Sequence, residues 1–171
     1  MTVVGALLKP WIPAVTLFLA IALQEVALPM HAWTVLRPDL LLIALFYWRL
    51  YRPDLCGPTV IFVSGLTVDI LSGGLLGLNA LSKSLLLLPI REFGNRLRGS
   101  DSLFLLPIVA ILCLMDQGVQ MLFATLVQGW GVDWMVIAGR AVASALVAPL
   151  VVAALIHTHR SWLEEASRAG R

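Results

Sequence analysis

Five ionisable side chains, Glu25, Asp69, Lys83, Asp116 and Arg140, sit within or at the ends of otherwise apolar stretches of this chain. Three acids and two bases in such surroundings can do one of two things. They can neutralise one another as buried ion pairs that set the register of helices, or they can line a path for a proton or a polar substrate. A charge at the centre of a bilayer costs at least about 2.5–3.5 kcal/mol on insertion scales, so it persists only when paired, close to the surface, or in use. The apolar stretches hold few other polar side chains, which favours ion pairing over a transport path. Asp69 and Lys83 flank one short loop, so they are the expected pair.

The most patterned stretch runs from Ser64 to Leu81. Gly65 and Asp69 are four apart and share a helix face. Gly65 suits close approach of a neighbouring helix, as small residues do in membranes. Gly73, Gly74 and Gly77 suit a tight turn that needs positive φ, and Asn79 is placed to cap the next helix. A glycine-rich loop can also cradle phosphate, but here no Gly-Lys-Ser/Thr follows and no strand precedes.

Other chemistries find little support. There is no Gly-x-Ser-x-Gly elbow and no zinc-binding His-Glu-x-x-His. Cys56 and Cys113 form no CxxC pair, and read as small apolar residues. His31 stands alone, and His157 and His159, two apart, point to different helix faces. The reading is therefore non-enzymatic, with no metal, no cofactor and no nucleic-acid partner.

The elements that must position these groups follow from composition. Of 171 residues, 60% are hydrophobic and 13% charged, against roughly 45–50% and about 25% in soluble domains. A bilayer removes the need for a charged exterior. A spanning helix needs roughly 20 mostly apolar residues, and six segments qualify: 10–29, 34–51, 55–72, 78–97, 102–128 and 134–157. They form a single membrane domain over 1–171, an all-α polytopic integral membrane protein. Lys9 precedes the first apolar run without a small-x-small cleavage site after it, so that run reads as an uncleaved helix. The second segment is the weakest. Asp39 and Arg49 leave only about 14 Å of uncharged helix between them, so Arg37 and Arg49 must snorkel to opposite surfaces.

Basic residues orient the bundle. With a cytoplasmic N-terminus, the inner regions hold Lys9, Arg49, Arg52, Arg91, Arg96, Arg98, Arg160, Arg168 and Arg171, nine of the twelve Lys and Arg. The outer loops hold Arg37 alone. Positive charge stays on the cytoplasmic side during insertion, so both termini are expected in the cytoplasm. Trp11, Trp48 and Trp162 fall near inner helix ends, and Trp33, Trp130 and Trp134 near outer ends, where an indole prefers the headgroup boundary. In this frame Glu25 and Asp69 lie near outer ends, Lys83 and Arg140 one to two turns inward, and Asp116 near mid-depth.

One region also carries a resemblance. Arg37-Pro38-Asp39-Leu40, the aromatic pair Tyr47-Trp48, Pro53, Gly65-Leu66-Thr67-Val68-Asp69 and Gly77-Leu78-Asn79-Ala80-Leu81 occur in that order. Together they resemble the bacterial rod shape-determining MreD family over residues 36–82, about a quarter of the chain. Asn79 departs from the histidine more usual there. The resemblance implies a small bacterial inner-membrane protein without catalytic activity. It implies a scaffold of the cell-wall elongation complex that binds the single-span protein MreC, and indirectly serves the actin-like MreB and RodA with its transpeptidase. Arg37, Pro38, Asp39, Gly65, Asp69, Gly73, Gly77 and Asn79 become the structural and partner motif. The family's helical arrangement also resembles the substrate-binding subunits of vitamin importers, which implies a cavity open outward.

Two functions are thus in view. The first is the membrane scaffold. The second is the substrate-binding membrane subunit of a small-molecule importer, which requires a deep pocket with several convergent polar side chains. The sequence supplies charges for that pocket but few Asn, Gln, Tyr or Trp at mid-depth.

Overall fold

The structure is a computed structural model that describes residues 11–25, 37–90, 92, 94, 102–129 and 134–168. Its elements are α1 (Trp11–Glu25), α2 (Leu40–Tyr51), α3 (Pro58–Ser72), α4 (Leu78–Leu87), α5 (Ser102–Gln128) and α6 (Trp134–Arg168), with no strand among the described residues. Among the described residues, two helices are long and apolar enough to cross a membrane, at Pro107–Val127 and Met135–Thr158. α1, α2 and α3 are apolar but shorter.

Segment two, the weakest by sequence, is the centre of the fold. α2 reads Leu-Leu-Leu-Ile-Ala-Leu-Phe-Tyr-Trp-Arg-Leu-Tyr and has no polar face. A helix that is apolar all round belongs in the interior, and every residue from Leu41 to Leu50 is buried. α2 packs against α1, α4, α5 and α6. The helix starts at Leu40 rather than 34, with Asp39 as its N-cap. Its 12 residues span about 18 Å, short of a hydrocarbon core of about 30 Å. Irregular backbone at such depth is stable only where protein groups satisfy it. The Asp39 carboxylate accepts from the Leu42 N–H at 2.8 Å, Gln24 Oε1 from the Leu41 N–H at 3.1 Å, and Ser144 Oγ from the Asp39 N–H at 2.9 Å.

The far end of α2 corrects two expectations. Arg49 does not snorkel to a surface. It is buried, and its guanidinium donates to the carbonyls of Cys56 at 2.9 Å and Leu88 at 3.4 Å, tying the α2–α3 turn to the end of α4. Trp48 is not at a wet boundary either: its indole N–H donates to Thr16 Oγ1 at 2.9 Å on α1. Trp11 is exposed at the start of α1. Lys9, His31, Trp33, Arg91, Arg96, Arg98, Trp130 and Arg171 lie outside the described residues, as do residues 26–29 and 34–36 of the expected spans.

Other boundaries move for local reasons. α3 begins at Pro58, where proline at the first helical turn needs no N–H partner. α4 stops at Leu87, because Pro89 cannot donate to a preceding carbonyl, and Ile90, Glu92 and Gly94 beyond it are again helical. α6 continues eleven residues past the expected 157. In the turn after α2, Arg52 hydrogen-bonds Asp54 with a shortest contact of 2.9 Å, and this bond holds the Asp54 carboxyl below its ordinary range.

The exterior is inverted relative to a soluble protein. Phe18, Leu23, Ile70, Leu126, Leu146 and Leu150 are exposed, while Asp39, Asp69, Lys83 and Asp116 are buried. That distribution fits insertion into a bilayer.

Candidate functional site: a polar network at one end of the bundle

Alternating helix directions bring the end of α1, the start of α2, the end of α3 and the start of α4 together. The α3–α4 corner is built on glycine. A Cβ on Gly65 would lie 2.6 Å from Ala80 Cα and 2.7 Å from its nitrogen, so only glycine permits this approach of α3 to α4. Gly73 and Gly77 adopt φ of 64° and 89°, as the sequence anticipated.

Asp69 sits where this corner can use it. Its carboxylate accepts from the backbone N–H groups of Gly77 at 3.0 Å, Asn79 at 3.0 Å and Ala80 at 3.3 Å, and from Asn79 Nδ2 at 2.9 Å. Four donors saturate a carboxylate. Asn79 was the expected cap of α4. The N-cap is instead Gly77, which offers no side chain, and a carboxylate from α3 satisfies the first-turn amides. The N–H groups that a phosphate would use are taken by Asp69.

The expected Asp69–Lys83 pair does not form. The Lys83 ammonium lies 2.9 Å from Asp39 Oδ2 and 3.2 Å from Asp116 Oδ2, and it donates to Asn79 Oδ1 at 2.9 Å. These three contacts use all three of its protons. Lys83 and Asp116 are fully buried. The physical reason is that Asp69 has nearer partners in its own turn, the amides at the head of α4. Gln120 Nε2 donates to Asp116 Oδ2 at 2.7 Å and to Asn79 Oδ1 at 3.1 Å. Asp116 Oδ1 has no hydrogen-bond partner among the described residues. Asn79 therefore bridges Asp69 to the Lys83 cluster through its two ends.

Glu25 and Arg140, the remaining members of the predicted cluster, stand beside it. Glu25 pairs with Arg37 at 2.8 Å, and Arg37 Nε also donates to the Gln24 carbonyl at 2.6 Å. Arg140 Nη1 donates to Gln117 Oε1 at 3.4 Å. Pro38 is buried beside Asp39. Gly74 lines the pocket rim without a positive φ. The free cysteines are buried.

Sequence reasoning missed the part played by Asp39, Gln24, Gln117, Gln120 and Ser144. Two signals were present. Pro38-Asp39 before an apolar run is a helix start, and Gln120 lies four residues after Asp116 on one face. Gln24, Asn79, Gln117 and Gln120 line a pocket of about 250 Å³ together with Arg37, Asp39, Asp69 and Arg140.

A family model described as rod shape-determining protein MreD matches residues 6–157. The chain belongs to the MreD family. The match reaches far beyond the 36–82 stretch and takes in α1 through α5, most of α6, and every residue of the polar network. MreD membership makes the chain a rod-shape-determining membrane protein of a structural rather than an enzymatic family. Searches of curated proteins and of solved structures returned no match.

Proposed function

We propose that this MreD-family chain is a non-enzymatic, multi-pass scaffold of the cell-wall elongation complex in the bacterial inner membrane. The carrying observation is the family match over residues 6–157. In this reading six helices lie in the membrane, with both termini cytoplasmic. The nine-to-one distribution of basic residues supports that orientation. The partner is an MreC-like single-span protein, engaged in the bilayer or at its surface, and the MreB-like actin and RodA with its transpeptidase are reached through it. Membrane lipid covers the rest of the apolar exterior. The buried network then holds four helices in one register, so that a fixed lipid-facing surface is presented to the partner. Conditional depletion in the source organism should round the cells, and affinity purification in mild detergent should co-elute a single-span periplasmic coiled-coil protein. Cells that stay rod-shaped while losing uptake of a nutrient would sink this reading.

One observation favours a second reading, a substrate-binding membrane subunit of a small-molecule importer with the fold of vitamin-importer subunits. That observation is the polar pocket lined by four amide side chains. High-affinity vitamin binding by the purified protein, joined to an uptake defect on depletion, supports it; depletion that alters shape alone speaks against it.

A further inference from the structure

Among the described residues, the polar end of the bundle holds more acid than base. Glu25, Asp39, Asp69 and Asp116 stand there against Arg37, Lys83 and Arg140. With every base counted, one carboxylate remains in excess. A buried carboxylate without compensation is costly enough that it takes up a proton instead. Three of the four acids are well supplied. Asp69 receives four N–H groups. Glu25 pairs with Arg37 at 2.8 Å. Asp39 has Lys83 at 2.9 Å and the Leu42 N–H at 2.8 Å.

Asp116 is different. Its share of Lys83 is the longer, at 3.2 Å, and Gln120 donates to the same oxygen, Oδ2. The side chain is fully buried, yet Oδ1 has no hydrogen-bond partner among the described residues. The Cys113 thiol, one turn earlier on α5 and also buried, adds no charge. Asp116 does not line the pocket, so the pocket does not offer Oδ1 to a hydrated cation. A proton needs no cavity. It can pass through Asp39, which lines the pocket and keeps 7% of its side chain exposed.

We propose that Asp39 and Asp116 form a buried proton-binding site, in which one proton resides on Asp116 Oδ1 and exchanges with the pocket through Asp39. Two carboxylates that share one site do not readily both ionise. Binding forms an O–H bond at Oδ1 and breaks none, and Lys83 stays an ammonium paired to Asp39. Ser82 on α4 faces the Asp116 carboxyl. Its hydroxyl donates to the Asn79 carbonyl at 3.3 Å, which leaves its lone pairs to accept the new O–H. Release of the proton leaves a net charge in the core between α2, α4 and α5. The site does not depend on the scaffold reading, since neither the partner nor the shape phenotype enters the argument.

The test is infrared spectroscopy of the full chain in a neutral detergent, between about pH 5 and about pH 9, above the ordinary titration of carboxyl groups. One protonated-carboxyl C=O band per chain should persist at neutral pH and move to lower frequency in heavy water. Asp116→Asn should lack the band. Ser82→Ala should shift it to higher frequency, because the O–H loses its acceptor. The thermal midpoint of the parent should fall with rising pH until the band is lost and level off there, more steeply than in Asp116→Asn. A parent protein with no protonated carboxyl at neutral pH, a band that survives in Asp116→Asn, or one that Ser82→Ala leaves in place overturns the proposal.

Discussion

The Lys83 ammonium on α4 lies 2.9 Å from the carboxylate of Asp39 at the head of α2, 44 positions away in sequence. Asp39 also caps α2 through the Leu42 N–H. One carboxylate thus starts the central helix and locks a second helix to it. In a bilayer, burying apolar side chains against one another gains little over lipid contact, so polar contacts and close packing carry more of the specificity.

Replacing Lys83 by Met leaves Asp39 and Asp116 buried without the ammonium that they share. Breaking a buried pair from one side costs about 3–5 kcal/mol. Equilibrium unfolding in mixed micelles should show a loss of that size. In double-mutant cycles, Lys83→Met should couple strongly to Asp39→Asn and more weakly to Asp69→Asn, which meets Lys83 only through Asn79. Stronger coupling to Asp69 would contradict the geometry.

Asp116→Asn should be tolerated better than Asp39→Asn. One ammonium serves two carboxylates, and the Asp116 contact is the longer, at 3.2 Å, with Oδ1 unpartnered among the described residues. Removing that charge leaves a one-to-one Lys83–Asp39 pair. The two unfolding free energies should differ by about 1 kcal/mol or more, the scale of a buried hydrogen bond. The reverse order would show that Asp116 carries the greater share.

Asp69→Ala removes the acceptor of three backbone N–H groups at the head of α4. Each buried donor left without a partner costs about 1–3 kcal/mol, so this change should be among the most damaging in the chain. Asp69→Asn keeps one acceptor oxygen and should fall between parent and alanine. Hydrogen exchange at Gly77, Asn79 and Ala80 is the direct measurement, and unchanged protection in Asp69→Ala would rule out the capping role.

Gly65→Ala forces α3 away from α4, because the new methyl meets Ala80 Cα and N rather than a side chain. Overpacking of this kind costs about 1–3 kcal/mol. Since the clash is with backbone, Ala80→Gly should not restore stability in the double variant. Rescue by Ala80→Gly would mean that the contact is between side chains.

Much of this protein was determined by sequence alone. The all-helical membrane character follows from apolar runs with little charge. The glycine corner follows from Gly65, Gly73 and Gly77, because close approach and positive φ exclude other residues locally. The family was legible from a stretch containing Asp39, Gly65 and Asp69. These are local properties, set by side-chain size, backbone freedom and transfer free energy. What only the tertiary structure decided is which acid meets which base. Asp69 stands nearer Lys83 in sequence than Asp39 or Asp116 does, yet takes the amides of its own turn. Lys83 instead reaches Asp39 and Asp116 on other helices. The central place of α2, the burial of Arg49 and Trp48, and the amide-lined pocket have the same origin. They depend on helices far apart in sequence arriving side by side, where a charge pairs with whatever partner lies within about 3 Å.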